Sequence, residues 1–333
     1  MWARRIIIRI CLISSLIVAV WTGSALTHEL VIFLDPRGSD SFDGLSERTP
    51  VASLQEAIRI AELLSDKGVS LVRVSVAAGE YRGQAVKASG NMAGLRIAVT
   101  AADPNQSRPR FNGVPHGGTW LDVRSATGEP PTFMISWLEI ANYETAINLA
   151  GDRNNRERSN SGNEIRNNVF TNIGQIARPG ALPSTAVIRL VNADDNVIAS
   201  NRFVHIVNLE GCARLHSIYV AHDSTGNEIS DNVFEDSCGD AIRFRDGSHS
   251  NLVKNNTFID AWAKAPVSDW YCDSRGRNDC TKATPECPSM NNVLDGNLVV
   301  ARHLTPTPSF WAFGEDVRRN CATYLNGKRF EIR

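Results

Sequence analysis

The sequence predicts an all-β solenoid, a parallel β-helix forming one domain. Three observations carry this. Five segments share the pattern N-x-[ILV]-x-x-N-x-[FV]: "NEIRNNVF" (163–170), "NVIASNRF" (196–203), "NEISDNVF" (227–234), "NLVKNNTF" (251–258) and "NVLDGNLV" (292–299). Their first asparagines lie 33, 31, 24 and 41 residues apart, so constant units alternate with loops of variable length. Within each unit, short alternating apolar runs are broken by Asn, Asp, Gly or Ser, which is strand punctuation. In such a fold the Ile, Val, Leu and Phe positions point into a narrow core. The asparagines sit at strand ends, where their amides stack between coils and satisfy turn backbone groups.

The elements follow in order. "LVIFLD" (30–35) reads as a strand and "PRGSDSFDGLSERTP" (36–50) as turns. Residues 51–66 read as a helix, with Leu54, Ala57, Ile58, Ala61 and Leu64 at helical spacing and Gly68 ending the segment. A strand solenoid leaves an open apolar end, and this helix is its expected cap. Strands follow at 71–81, 95–101 and 133–142, then the repeats. The stretch 263–290 is the largest insert. Residues 304–333 lose the repeat and read as a C-terminal cap, with Trp311 and Phe313 closing the core.

The first 25 residues read as a signal peptide. Arg4, Arg5 and Arg9 precede an apolar run (10–21) and the small residues "TGSAL" (22–26). Their removal takes the formal net charge from −1 to −4, which argues against a nucleic-acid partner. The mature chain, 26–333, is expected to be secreted or periplasmic, without a membrane span, and monomeric. It keeps six cysteines: Cys212, Cys238, Cys272, Cys280, Cys287 and Cys321. An even count in an exported chain reads as disulfides. Cys212 and Cys238 fall in successive coils and are a reachable pair. Two of Cys272, Cys280 and Cys287, or one of them with Cys321, would pin the insert, which then walls the neighbouring sheet face.

"FLDPRGSDSFDGLSERTPVASLQEAI", "VSVAAGEYRG" and the Asn-rich repeats together resemble the right-handed parallel β-helix proteins of the pectate-lyase-like superfamily. The resemblance covers roughly residues 30–300. It implies the handedness, and a polysaccharide as partner. It leaves the activity open, because lyases, hydrolases, epimerases and inert surface proteins share that fold.

Aligning the repeats puts Ile188, Ile218 and Ile242 inward and Arg189, Tyr219 and Arg243 in an outward column. Arg245 follows two residues on. The next strand, near 265–271, is expected to add Asp269 and Trp270 to that face. Arginines grip carboxylates in fork geometry, so this face reads as a trough for an acidic polymer, with Arg189, Arg245, Asp246, Asp269 and Trp270 as binding residues. "CARLHSIYVAHDS" (212–224) places His216, Tyr219 and His222 beside it, with Glu210 upstream.

Uronate β-elimination needs a group to neutralise the carboxylate, a base, and an acid for the leaving oxygen. Arg243 or Arg245 would neutralise; His216, His222 or Tyr219 would move protons. Calcium serves as neutraliser in many relatives, and Asp194, Asp195, Asp236 and Asp240 are candidate ligands. A polysaccharide lyase is the leading expectation. A uronate C5-epimerase is the first alternative, because "IYVAHDS" resembles the Asp-Pro-His-Asp strand end of mannuronan epimerases, with Val220 and Ala221 replacing its first two residues. A glycoside hydrolase is the second, with Asp240, in "CGDAI" (238–242), partnered by Asp246 or Asp269. A non-catalytic polysaccharide-binding or surface-structural solenoid is the third.

Overall fold

The computed structural model describes residues 29–89, 92–115, 117–125, 128–174, 184–208, 211–272, 286–312, 328 and 330–333. The expected signal peptide, Glu210, Cys280, Phe313 and Cys321 lie outside them. Each coil contributes one strand to each of three parallel sheets. One sheet has ten strands, from Leu30–Leu34 to Phe330–Ile332; two have eight, from Val86–Ser89 to Phe310–Ala312 and from Glu80–Arg82 to Leu298–Val300.

The N-terminal helix spans Leu54–Ser65, slightly shorter than expected, because Ser53 serves as its N-cap and accepts from the Glu56 amide at 3.2 Å. Leu54, Ala57, Ile58, Ile60 and Ala61 are buried, covering the first coil. Sheet register puts equal residues above each other. Ile147, Ile188, Ile218, Ile242 and Val267 form one inward column. Phe170, Phe203, Phe234 and Phe258 form another, with consecutive ring centroids 4.9 Å apart.

The asparagine columns are continuous. Asn163 donates to Asn196, Asn196 to Asn227, Asn227 to Asn251 and Asn251 to Asn292, at 2.8–3.0 Å. A second ladder runs Asn168, Asn201, Asn232, Asn256, Asn297 at 3.0–3.1 Å. Each acceptor oxygen also takes the backbone amide of the asparagine below it, as Asn232 does from Asn201 at 2.9 Å. Buried turn amides are thereby satisfied.

Other corners need left-handed backbone. Asn167, Ser200, Asp231 and Asn255 stack at one corner with φ of 54–56°, a region that Asn and Asp tolerate better than most residues. Trp137 adopts it too, with φ 61°. This splits the expected strand 133–142 into Thr132–Ser136 and Glu139–Ala141, since a coil corner, not a strand, passes there. At the C-terminal end Phe310 and Phe330 pack on the core with centroids 3.9 Å apart. Trp311 does not close the core as expected, because it registers with the outward Ser268.

Asn232→Ala should lower stability by about 2–3 kcal/mol, because it leaves buried amide groups on both neighbouring coils without partners. Denaturant unfolding reads this directly; an unchanged midpoint would refute the ladder's structural role.

Candidate functional site

The outward face of the sheet that begins at Val86–Ser89 carries the candidate residues. Arg189 pairs in register with Asn148 and Tyr219, Tyr219 with Arg243, and Arg243 with Ser268. A second outward column ends in Ala221, Arg245 and Trp270. The expected column is therefore present, with one correction. Asp269 registers with the inward Phe244 and is fully buried, its Oδ2 accepting from the Ser289 amide at 3.1 Å. Strand parity puts Ser268 and Trp270, not Asp269, on the face.

The cations of this face are used in different ways. Arg243 donates to Asp240 at 2.7 Å and to Ser268 at 2.6 Å. Arg245 grips Glu286 with two bonds of 2.6 and 2.8 Å, donates to the Tyr219 hydroxyl at 3.0 Å, and lies 4.3 Å from the Trp270 ring centroid. Burial works to lower the Arg245 pKa, but Glu286 and Tyr219 outweigh it and the net direction is up. Glu286 was not among the sequence candidates. It lies in the flagged insert, and no periodicity marks which acid there would return to the sheet.

Arg189 is different. It has no ion pair or hydrogen bond among the described residues, and its Nε is buried. Burial first holds its pKa below the usual arginine value; Tyr219 opposes this, Arg153 and Arg124 push further down, and Asp122 pulls up least. Three more buried polar atoms are without partners on this and the adjoining coils: Asn148 Oδ1, in register with Arg189, Asn192 Oδ1, three residues along the chain from it, and Ser217 Oγ, two residues before Tyr219. Buried polar atoms are rarely left this way, and a group of them marks a place to look for a ligand.

Asp240 is a correction to its expected catalytic role. One oxygen accepts the amides of Ala263, Lys264 and Ala265 at 2.6–3.2 Å and the other takes Arg243. Burial raises its pKa, but the Arg243 charge and these donors dominate and hold it low. An ionised, fully engaged carboxylate fixes the 263–265 turn and is not a proton donor. His216 is buried, with Nδ1 2.7 Å from the Asp240 carbonyl. Burial first and then Arg243 push its pKa down to about 3, so it is neutral. The carbonyl only accepts, so Nδ1 carries the proton.

His222 occupies the corner after Ala221. Its Nδ1 lies 2.7 Å from Asp246 Oδ2 and 3.2 Å from an Arg153 nitrogen. The nearer carboxylate accepts a hydrogen bond from Nδ1–H, which leaves Nε2 as the acceptor of the ring. The other Asp246 oxygen accepts the Cys287 amide at 3.3 Å. His222 and Asp223 both have left-handed backbone, at φ 55° and 65°. A His–Asp pair at a corner is also a stacking device of this fold, since His205 and Asp236 make one at 2.7 Å on another face. Asp223 is half-buried, and burial raises its carboxyl pKa.

The calcium candidates do not gather. Asp194 accepts from Thr225, Asp236 pairs with His205, and Asp240 holds its turn. Among the described residues, His222, Asp246 and Glu286 bring ligand atoms within 4.8 Å of one another. Glu286 already spends both oxygens on Arg245 and accepts the Cys272 amide at 2.7 Å. The donor set thus fits an internal arginine better than a calcium ion.

A disulfide joins Cys212 and Cys238, the expected pair. It fastens the two chain segments that lead into the strands of Tyr219 and Arg243. Gly239 is required beside it, because a Cβ there would run into the Leu215 carbonyl. Cys272 and Cys287 are also disulfide-bonded.

Residues 136–278 match the family model described as the right handed beta helix region. The chain folds as a right-handed parallel β-helix. A solved alginate lyase from Paenibacillus sp. str. FPU-7 is similar, at 15% identity and TM-score 0.52, covering 77% of this chain and 89% of that one. A rhamnogalacturonan lyase (14%, TM-score 0.45, 85% and 66%) and the pectate lyase Pel9A (12%, TM-score 0.48, 87% and 81%) are more distant in shape. The fold likeness rests on the first. No curated protein matches the sequence. In this β-helix, no helix among the described residues is long and apolar enough to cross a membrane.

Keeping His216 neutral has a pH consequence. Its folded pKa of about 3 lies below the unfolded value of about 6.5. The unfolded chain then binds more protons, so its contribution to stability falls as pH drops from 6.5 toward 3. His249, lowered by burial to about 4, acts in the same sense. His216→Asn should flatten the acid-side decline in melting temperature; an unaltered slope would contradict the buried neutral state.

Proposed function

We propose that this chain is an exported, monomeric polysaccharide lyase that cleaves an acidic polymer by β-elimination across the outward face. The observation that carries the reading is Arg189, a largely buried guanidinium with no carboxylate of its own among the described residues, on a face lined by polar side chains. Arg243 and Arg245, the neutralisers expected from sequence, are already paired inside the protein. Arg189 takes over that role.

In this reading the uronate carboxylate docks on Arg189. Charge neutralisation acidifies the hydrogen on the adjacent carbon. His222 Nε2 removes it, with Asp246 holding the ring by Nδ1. The electron pair forms the carbon–carbon double bond and expels the glycosidic oxygen. Tyr219 supplies the proton to that oxygen. Its hydroxyl accepts from Arg245, so its own hydrogen is available to give. Burial raises its pKa, against the opposing Arg245 charge, and keeps it protonated. Trp270, clamped by Arg245, and the disulfide-bonded insert wall this end of the face. The disulfides fit an oxidising compartment.

One observation favours a hydrolase instead. Asp223 has a carboxyl pKa raised by burial and lies close enough to feel the Asp246 charge, and a pair of neighbouring carboxylates is what glycoside hydrolysis requires.

The test is a screen of the purified mature chain, disulfides intact, on uronate polymers with ultraviolet absorbance and reducing ends read together. Both signals should rise, and Arg189→Met should lower kcat/KM by about a hundredfold or more with the fold unchanged. Reducing ends without absorbance would move the chemistry to Asp223 and Asp246 and end the lyase reading.

A further inference from the structure

The charges on the outward face define more than an acidic substrate. Arg124 is matched by Asp122 at 2.9 Å, Arg243 by Asp240 at 2.7 Å and Arg245 by Glu286 at 2.6 Å. Among the described residues Arg189 has no such match. A polymer crossing the coils meets one residue of the column per coil, about 4.8 Å apart. Its neighbour on one side of Arg189 is Asn148.

The Asn148 amide nitrogen donates to Asp122 at 2.7 Å. A carboxylate only accepts, so the orientation of this amide is fixed. The Asn148 oxygen is therefore the atom left over, buried and without a partner. Asp122 lies in register one coil further on. Both positions are acceptors. A second carboxylate placed there would face an amide oxygen and a carboxylate whose charge Arg124 already takes up, with no donor left for it, whereas a sugar hydroxyl would donate.

Asn192, at the corner of the Arg189 coil, repeats the pattern. Its nitrogen is spent on the carbonyls of Asp152 and Asn155 at 2.9 and 3.3 Å, and its oxygen is buried without a partner. On the other side of Arg189 stands the Tyr219 phenol, and beyond it the internally neutralised Arg243. Within the column Asn148, Arg189, Tyr219, Arg243, the Arg189 guanidinium is thus the one cation not already paired among the described residues, and the position next to it on the Asn148 side offers acceptors only.

We propose that the substrate is a heteropolysaccharide in which an acidic sugar is joined to a neutral one, and that homopolymers of uronates are poor ligands. This rests on reading the face as the uronate-binding site. It goes beyond that reading by assigning Asn148 and Asp122 to rejection of a second carboxylate.

The test is affinity electrophoresis of the intact, disulfide-bonded chain in gels containing one polymer each. The probes are polygalacturonate, polymannuronate, the alternating galacturonate–rhamnose backbone, and hyaluronan. An alternating polymer should retard the chain at about tenfold lower concentration than either homopolymer. Asn148→Lys, which supplies a second cation, should raise retention by the homopolymers. Equal or stronger retention by a homopolymer, or retention by none of the four, overturns the proposal.

Product analysis on the same polymers separates the two ideas. Retention by an alternating polymer without unsaturated ends leaves this inference standing and removes β-elimination. A homopolyuronate that binds as well and yields unsaturated ends does the reverse.

Discussion

The amide ladders hold the coils in one register, and every residue of the site takes its position from that register. A strand that slipped by one residue would turn Arg189 and Tyr219 into the core and bring isoleucines to the surface. The ladders oppose this because each asparagine satisfies a backbone amide on one coil and a side chain on the next. Stacked phenylalanines and isoleucines fill the space between but tolerate sliding far better than directional hydrogen bonds do. Loops can therefore vary from coil to coil, while the column Asn148, Arg189, Tyr219, Arg243 stays aligned.

On this frame the outward face is built by unequal treatment of like residues. Arg243 and Arg245 are structural: one ties the 263–265 turn through Asp240, the other ties the insert through Glu286. The same insert reaches Asp246 through the Cys287 amide, and Asp246 orients His222. Arg189 alone in the column keeps its guanidinium uncommitted among the described residues, at the cost of partial burial. Uncompensated burial of a cation is unfavourable in the free protein and becomes favourable when an anion arrives.

Much of the fold was legible in the sequence. The paired asparagines announced both ladders, and their spacing fixed Ile188, Ile218 and Ile242 as neighbours, which gave Arg189, Tyr219, Arg243, Arg245 and Trp270 their correct face. Legibility failed where periodicity stops. Asp269 reads as outward in the sequence because the insert boundary hides the strand's parity. Asp240 read as catalytic because nothing in "CGDAI" shows that three amides from 263–265 fold back onto it. Glu286 escaped notice because its partner is 41 residues away. The special standing of Arg189 was not readable at all, since it depends on which carboxylates fail to reach it in three dimensions.

The most direct test of the account is a crystal structure of the Tyr219→Phe chain, chosen to slow turnover, with an acidic oligosaccharide bound. The account predicts a sugar lying across the coils with its carboxylate on the Arg189 guanidinium, Arg243 and Arg245 still paired to Asp240 and Glu286, and a hydroxyl on Asn148. A sugar bound on another face, or a carboxylate that opens the Arg245–Glu286 pair and leaves Arg189 untouched, would contradict it.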